Sequence, residues 1–501
     1  MSHRIRALFF FPIILSLLFV NAFRQEWAIT ALLGKENSPL TTATQTLPDT
    51  SLSRPPAYLY PDPGAWDLPQ VPAPSELSGE GYDSSRPLSG PESADNGLFG
   101  EADLAPEPVP DPGVVAEQLS IFDELWSAVK EQYLYEDLNG LDWEEIRGEY
   151  TDRIKSGLEA DEFYLSMDEL IFRLGDNHSR YLNPQQVAEE QAKYAGKQDY
   201  AGIGIILAPI QERKHATVVL TFPGGPAEKA GIKPRDSIYS VDGTPILDEQ
   251  GSLRDLIRGP EGTRVKLTVE TPGQNLREIN LTRRRISGPL PVPYTVISTP
   301  QGQRIGYVFL VTFADSTIST QIEDAIKSMN RNAPLDGMIL DNRQNEGGAS
   351  TVLTETLGFF TGGLLGHFIS RQEEAPLEVE GREISNSQNL PLVVLVGRYT
   401  YSYGEIFAGI LQDMGRAFLI GETTTGNVET LTGFNLTDGS RAWIAYKSFR
   451  PLNQPEKDWE ASGIVPDLNV QANWDEHTLV NDPLIVKSLE YLDVKAKTRF
   501  E

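Results

Sequence analysis

The 501-residue chain contains no cysteine, which excludes disulfide frameworks, thiolate nucleophiles and thiolate metal sites. Histidine is scarce. The five present, His3, His178, His215, His367 and His477, are far apart and show no metal-ligand spacing. The carboxylates are dispersed, so neither a metal nor another cofactor is implied. Positive charge is also in short supply: 43 Lys and Arg stand against 71 Asp and Glu, a net charge of −28. Nucleic acid is excluded as a partner, because phosphate contacts need clustered basic residues. Attachment to anionic lipid through the surface is excluded for the same reason. No internal repeat is visible.

The N-terminus departs from this acidic background. Arg4 and Arg6 precede the apolar run Ala7–Val20, a positive n-region followed by an h-region of signal-peptide length. Residues 1–22 read as a signal peptide or a signal anchor. Export is the expectation, with membrane contact only through this segment. Residues 23–114 read as a disordered, Pro-rich acidic linker. Pro61-Asp62-Pro63-Gly64 and the alternating prolines from Pro106 to Pro112 suit neither helix nor inner strand.

Beyond the linker the pattern becomes that of folded domains, α/β in overall class. In 115–198, Leu119, Phe122, Leu125, Trp126 and Val129 recur at helical spacing, as do Phe163, Met167, Ile171 and Leu174. This predicts a small helical domain closing with Leu174–Leu182, the stretch that holds Gly175-Asp176-Asn177-His178-Ser179. Residues 199–286 read as short strands and turns, a β-rich domain. Residues 287–490 alternate strand-like and helical segments, predicting a sheet flanked by helices. A tail, 491–501, follows.

Two segments of the α/β part carry candidate chemistry. The apolar run Leu392–Val396 leads through a short turn holding Ser402 into a helical pattern from Glu405 onward. A serine there sits near a helix N-terminus, where N–H groups favour negative charge. The same position suits a plain N-cap serine. Earlier, Asp341-Asn342-Arg343-Gln344-Asn345-Glu346 runs into Gly347-Gly348. Glycines allow close backbone approach and let successive N–H groups point at one spot, as an oxyanion hole requires.

The order of these elements resembles the carboxy-terminal processing peptidases, or tail-specific proteases, over roughly residues 115–490. The matching stretches include Ile257-Arg258-Gly259-Pro260-Glu261-Gly262-Thr263, Gly421-Glu422-Thr423 and Gly463-Ile464-Val465-Pro466-Asp467. Pro226-Ala227 through Asp236 resembles the bacterial PDZ signature, except that Arg235 stands where glycine is usual. The resemblance makes Gly202, Ile203, Gly204 and Ile205 the loop that binds a peptide carboxylate, with the peptide added as a strand. It makes Ser402 the nucleophile, Gly348 or Gly347 the oxyanion-hole glycine, and the Tyr403 N–H the second donor. Tyr401 and Tyr403 replace alanines and reshape the pocket.

One departure is chemical. The position of the family's catalytic lysine holds Asn427, and no lysine lies between Ser402 and Lys447. An asparagine amide accepts no proton near neutral pH. The segments around His178 and Glu460 resemble those of tricorn-type relatives, which use serine, histidine and glutamate. An imidazole suits general-base work, and a carboxylate suits its orientation. His178 is equally placed to be a capping or packing residue. The resemblance thus implies a serine endopeptidase acting on exported proteins or peptides near their C-termini, with free C-termini recognised. The alternative is a catalytically inactive peptidase fold that binds C-terminal peptides or scaffolds another protease.

Overall fold

The computed structural model describes residues 110–498, Asn177 aside, together with Ile29–Thr30. Residues 1–22 lie outside the described residues, as does most of the stretch read as linker. The architecture is mixed α/β, as the sequence pattern predicts. Among the described residues, no helix is long and apolar enough to cross a membrane.

The first helix, Pro112–Gln132, starts ahead of residue 115. Asp111 is its N-cap, accepting from the Gly113 N–H at 2.8 Å, and Pro112 opens the first turn, where its missing N–H costs nothing. The helices Trp143–Lys155, Ala160–Phe172 and Pro184–Tyr194 follow. They do not close a core alone. Phe122, Leu125, Val129, Met167 and Leu170 pack in one cluster with Leu436, Ala442, Ile444 and Ala445 from far along the chain. A short strand, Arg180–Leu182, pairs antiparallel with Arg441–Trp443. This stitches the helical segment to the remainder and fixes the chain just after His178.

The β-rich part is a sheet in the order Ile205–Ile210, His215–Thr221, Ser237–Val241, Arg264–Glu270, Arg277–Thr282. Ile205–Ile210 is an edge strand, open to an added strand. Arg235 adopts φ +79°, the left-handed region that explains why glycine suits this position. Its guanidinium stacks 3.9 Å from the Trp474 ring and pairs with Asp482 at 2.8 Å. His215, at the start of the second of these strands, is buried and meets Asp475 at 2.6 Å.

Asp482 also takes Arg343 at 2.8 Å, so one buried carboxylate joins the β-rich domain to the α/β sheet. Burial alone would raise its pKa, but Arg343 and Arg235 outweigh burial and hold it well below the usual aspartate range. A depressed folded-state pKa contributes stability above the unfolded value, lost as pH falls through the folded one. Asp482→Asn is therefore expected to cost about 3–5 kcal/mol at neutral pH, the cost of breaking a buried pair. The gap from wild type should narrow as pH falls below about 3.9, the ordinary aspartate value. Urea unfolding at neutral pH and at acid pH checks both statements.

The third part carries a seven-stranded sheet. Its order is Ile29–Thr30, Tyr294–Ser298, Arg304–Phe309, Gly337–Asp341, Leu392–Val396, Phe418–Gly421, Leu468–Asn469. Only the Tyr294–Ser298 and Arg304–Phe309 pair is antiparallel. Gly337–Asp341 and Leu392–Val396 are buried along their whole length, as central parallel strands covered on both faces must be. The turns leaving the carboxyl ends of four strands, those ending at Phe309, Asp341, Val396 and Gly421, meet in one place. Open parallel sheets bind ligands at this edge.

Candidate active site

Ser402 stands at the sharpest point of the turn after Leu392–Val396. Its φ of +51° and ψ of −127° lie outside the regions a serine ordinarily occupies. Such strain costs on the order of 1–3 kcal/mol and survives only where the surroundings impose it. Here they do. The Ser402 N–H donates to the Asn427 carbonyl at 2.8 Å and to Glu405 Oε2 at 3.1 Å. Glu405, fully buried three residues on, forms a capping box with Ser402 at the head of the helix Tyr403–Asp413. The same carboxylate accepts from Thr424 Oγ1 at 2.5 Å, the Gly426 N–H at 2.8 Å and the Asn427 N–H at 2.9 Å. One glutamate thus ties the serine turn to the loop after Phe418–Gly421. Burial pushes the Glu405 pKa up against these four bonds. The Ser-x-x-Glu spacing was the available signal for it.

The turn after Gly337–Asp341 brings the glycine pair to the serine. A Cβ added to Gly347 would lie 3.2 Å from Ser402 Oγ and 2.8 Å from the Tyr403 nitrogen. The Gly347 N–H is already occupied, donating to Asn345 Oδ1 at 2.9 Å. Phe313 lies alongside: its N–H donates to the Gly347 carbonyl, and its own carbonyl accepts from Ala349. Among the described residues, neither the Gly348 N–H nor the Tyr403 N–H donates a hydrogen bond within the protein. Gly348 has φ +148°, and a Cβ there would lie 2.1 Å from the Phe313 carbonyl carbon, so no other residue fits.

His178 arrives from the helical segment. Asp176 shapes its turn by accepting from the His178 N–H at 2.9 Å and from Ser179 Oγ at 2.9 Å, while Tyr133 donates to the same carboxylate at 2.7 Å. The buried imidazole presents Nε2 to Glu460 Oε1 at 3.0 Å, across 282 residues of sequence. Glu460 Oε2 accepts from the N–H groups of Val428 at 2.7 Å and Glu429 at 3.2 Å. These are the residues directly after Asn427, whose carbonyl holds Ser402. The histidine–glutamate pair and the serine therefore hang on one loop, 424–429. Among the described residues, no hydrogen bond joins His178 to Ser402 Oγ.

Glu429 is the residue that sequence reasoning missed. Its side chain is buried, its Oε2 lies 3.7 Å from His178 Nε2, and Tyr135 donates to its other oxygen. Burial and the charge of Glu460 push its pKa up to about 7, with the Tyr135 bond opposing. Burial would lower the His178 pKa, but Glu460, then Glu429 and Asp176, raise it overall. Histidine and carboxylates that look dispersed in sequence are thus gathered here, because Arg180–Leu182 and Thr430–Asn435 flank one strand, Arg441–Pro451.

The loop read as a carboxylate binder is built as a turn of free donors. Ile203 is buried, its carbonyl accepts from Ala227 at 2.9 Å, and the Gly204 carbonyl accepts from Phe222 at 2.8 Å. Among the described residues, the N–H groups of Ile203 and Gly204 donate nowhere. Gly202 ends the strand Gln198–Gly202, and Ile205 begins the edge strand.

Known proteins share this arrangement of parts. The Peptidase family S41 profile matches residues 304–470, a PDZ domain profile residues 222–271, and a Tricorn protease C1 domain profile residues 115–172. A carboxyl-terminal-processing protease of Synechocystis sp. is 30% identical over 391 residues, covering 75% of this chain and 87% of that protein. The chain belongs to the carboxyl-terminal-processing peptidases of family S41. The chloroplastic C-terminal processing peptidase of Tetradesmus obliquus is 31% identical, covering 72% of this chain and 79% of that protein. Among solved structures, a photosystem II D1 C-terminal processing protease matches at 28% identity with a TM-score of 0.51, covering 71% of this chain and 93% of that one. Family S41 processing proteases are serine peptidases, and the PDZ domain is part of this chain's fold.

Proposed function

We propose that the protein is a serine endopeptidase that cleaves exported proteins or peptides near their C-termini. The observation that carries this reading is the strained Ser402 beside two unengaged N–H groups, with the His178–Glu460 pair anchored on the loop that holds the serine. Ser402 Oγ attacks the scissile carbonyl. His178 takes its proton and returns it to the leaving amine. Glu460 holds the imidazole and stabilises its cationic form. The N–H groups of Gly348 and Tyr403 receive the oxyanion, and Gly347 positions them. The absence of a serine–histidine bond is compatible with this, since catalytic hydrogen bonds are often long before substrate binds. Asn427 contributes its backbone carbonyl, and its amide has no role as base. The test is a cleavage assay on polypeptides with free C-termini: Ser402→Ala should abolish cleavage and fold normally, and wild-type cleavage by that variant would remove Ser402 from the mechanism.

Export follows from the run at 1–22, and secretion with and without that run checks it. Substrate choice falls to the PDZ loop. Gly204 has φ +75°, and a Cβ there would lie 2.9 Å from Phe222. Gly204→Val is expected to weaken peptides ending in a free carboxylate at least about tenfold, since the backbone donors of Ile203 and Gly204 would be turned away. Amidated peptides should bind the wild type poorly. Calorimetry on the full chain with both peptide forms checks this, and equal affinity for both would mean that the loop does not read C-termini.

Asn427 favours a second reading, in which the fold binds C-terminal peptides or scaffolds another protease without cutting. It predicts peptide binding with an unreactive Ser402.

A further inference from the structure

The cluster around His178 holds more donors than a hydrolytic triad needs. We propose that His178, Glu429 and Glu460 form a binding site for a transition-metal dication, zinc above all, and that zinc there blocks the peptidase. The first half stands on geometry alone. The second rests on the reading of His178 as the base.

A tetrahedral zinc ion holds N and O ligands at about 2.0–2.1 Å, which sets neighbouring ligand atoms about 3.3–3.4 Å apart. His178 Nε2 lies 3.0 Å from Glu460 Oε1 and 3.7 Å from Glu429 Oε2, on either side of that value. The three donor atoms all lie within 4.8 Å of one another. The two separations from the imidazole need shifts of only a few tenths of an ångström to reach that value.

Each carboxylate is also oriented for the purpose. Glu429 has one oxygen held by Tyr135 and the other turned to the imidazole. Glu460 has one oxygen held by two backbone N–H groups and the other turned to the same nitrogen. Partners that fix the outer atoms of metal ligands are a recurring feature of metal sites. Two of the three side chains are nearly fully buried, whereas Glu460 is 28% exposed and gives an ion a way in. Three protein ligands leave a fourth position for water. An imidazole with two carboxylates suits zinc better than magnesium or calcium, which prefer oxygen alone. Zinc on Nε2 would displace the proton now shared between His178 and Glu460, so Glu460 could no longer orient the imidazole or stabilise its cationic form, and the base would be disabled.

The test uses the full-length Ser402→Ala protein, so that binding is read without catalysis. Titration with zinc against a fluorescent chelator should give one ion per chain. His178→Ala and Glu429→Gln should each weaken binding at least about tenfold, and Tyr135→Phe should weaken it within the roughly 10–100-fold range of outer-shell losses. Glu429→Gln preserves size and an acceptor for Tyr135, which keeps the test valid if larger truncations misfold; circular dichroism checks each variant. Magnesium and calcium should not compete. No stoichiometric zinc, or zinc binding unchanged in both His178→Ala and Glu429→Gln, overturns the site. In the wild type, zinc should inhibit cleavage over the concentration range in which it binds. Binding through these residues with cleavage unaffected would overturn the blockade and, with it, His178 as base, while leaving the metal site standing.

Discussion

Replacing His178 by glutamine is expected to lower kcat by at least about a thousandfold, with KM little changed. Removing the base of a serine triad costs this much or more, because the serine is left without a proton acceptor when it attacks. Glutamine preserves a polar side chain toward Glu460, so the loss should not come from unfolding. Asn427→Ala should lose far less, since what Asn427 gives Ser402 is a backbone carbonyl at 2.8 Å, which alanine retains. Steady-state kinetics on the two variants decide the assignment. If Asn427→Ala is as damaging as His178→Gln, the amide belongs to the machinery and His178 is not the base that sets it apart.

Gly348→Ala should be comparably severe for a different reason. The added Cβ would fall 2.1 Å from the Phe313 carbonyl carbon, well inside any real contact. The Phe313–Gly348 bridge must then open, and the Gly348 N–H swings away from Ser402. Loss of one oxyanion donor alone costs about 10²–10³ in kcat. Gly347→Ala should also be harmful, through its closeness to Ser402 Oγ and the Tyr403 nitrogen, although its own N–H serves Asn345. Kinetics with thermal melts separate the two effects: a variant that melts like wild type yet cleaves at wild-type rate would remove Gly348 from the oxyanion hole.

The sequence made the modular order and the serine turn legible because both depend on short-range patterns. Leu392–Val396, the Gly347-Gly348 pair and the helix from Tyr403 are contiguous signals, and adjacent parallel strands bring their ends together by necessity. The His178–Glu460 pair is different. Nothing in the composition of either segment indicates a contact across 282 residues, and only the family resemblance suggested it. Glu429 was not legible at all. It precedes an ordinary polar strand, and its importance arises only when Arg180–Leu182 joins Arg441–Pro451 and brings His178 toward it, while the Leu134 N–H bonds the Ala445 carbonyl of the same strand and brings Tyr135. The first helix opens at Pro112, inside the proline-rich run, where Asp111 serves as its cap. Arg235 was legible only as an exception to a glycine position, and its link from the PDZ domain to Trp474 and Asp482 was not.

The most direct measurement is the reactivity of Ser402 itself. A fluorophosphonate probe labels only a serine that a neighbouring base activates, and intact mass with peptide mapping reports both stoichiometry and position. A Ser402 nucleophile with His178 as its base predicts one label per wild-type chain, located at Ser402, absent from Ser402→Ala, largely lost in His178→Gln and retained in Asn427→Ala. A folded wild-type protein that takes no label, or one whose labelling is indifferent to His178→Gln, would contradict it.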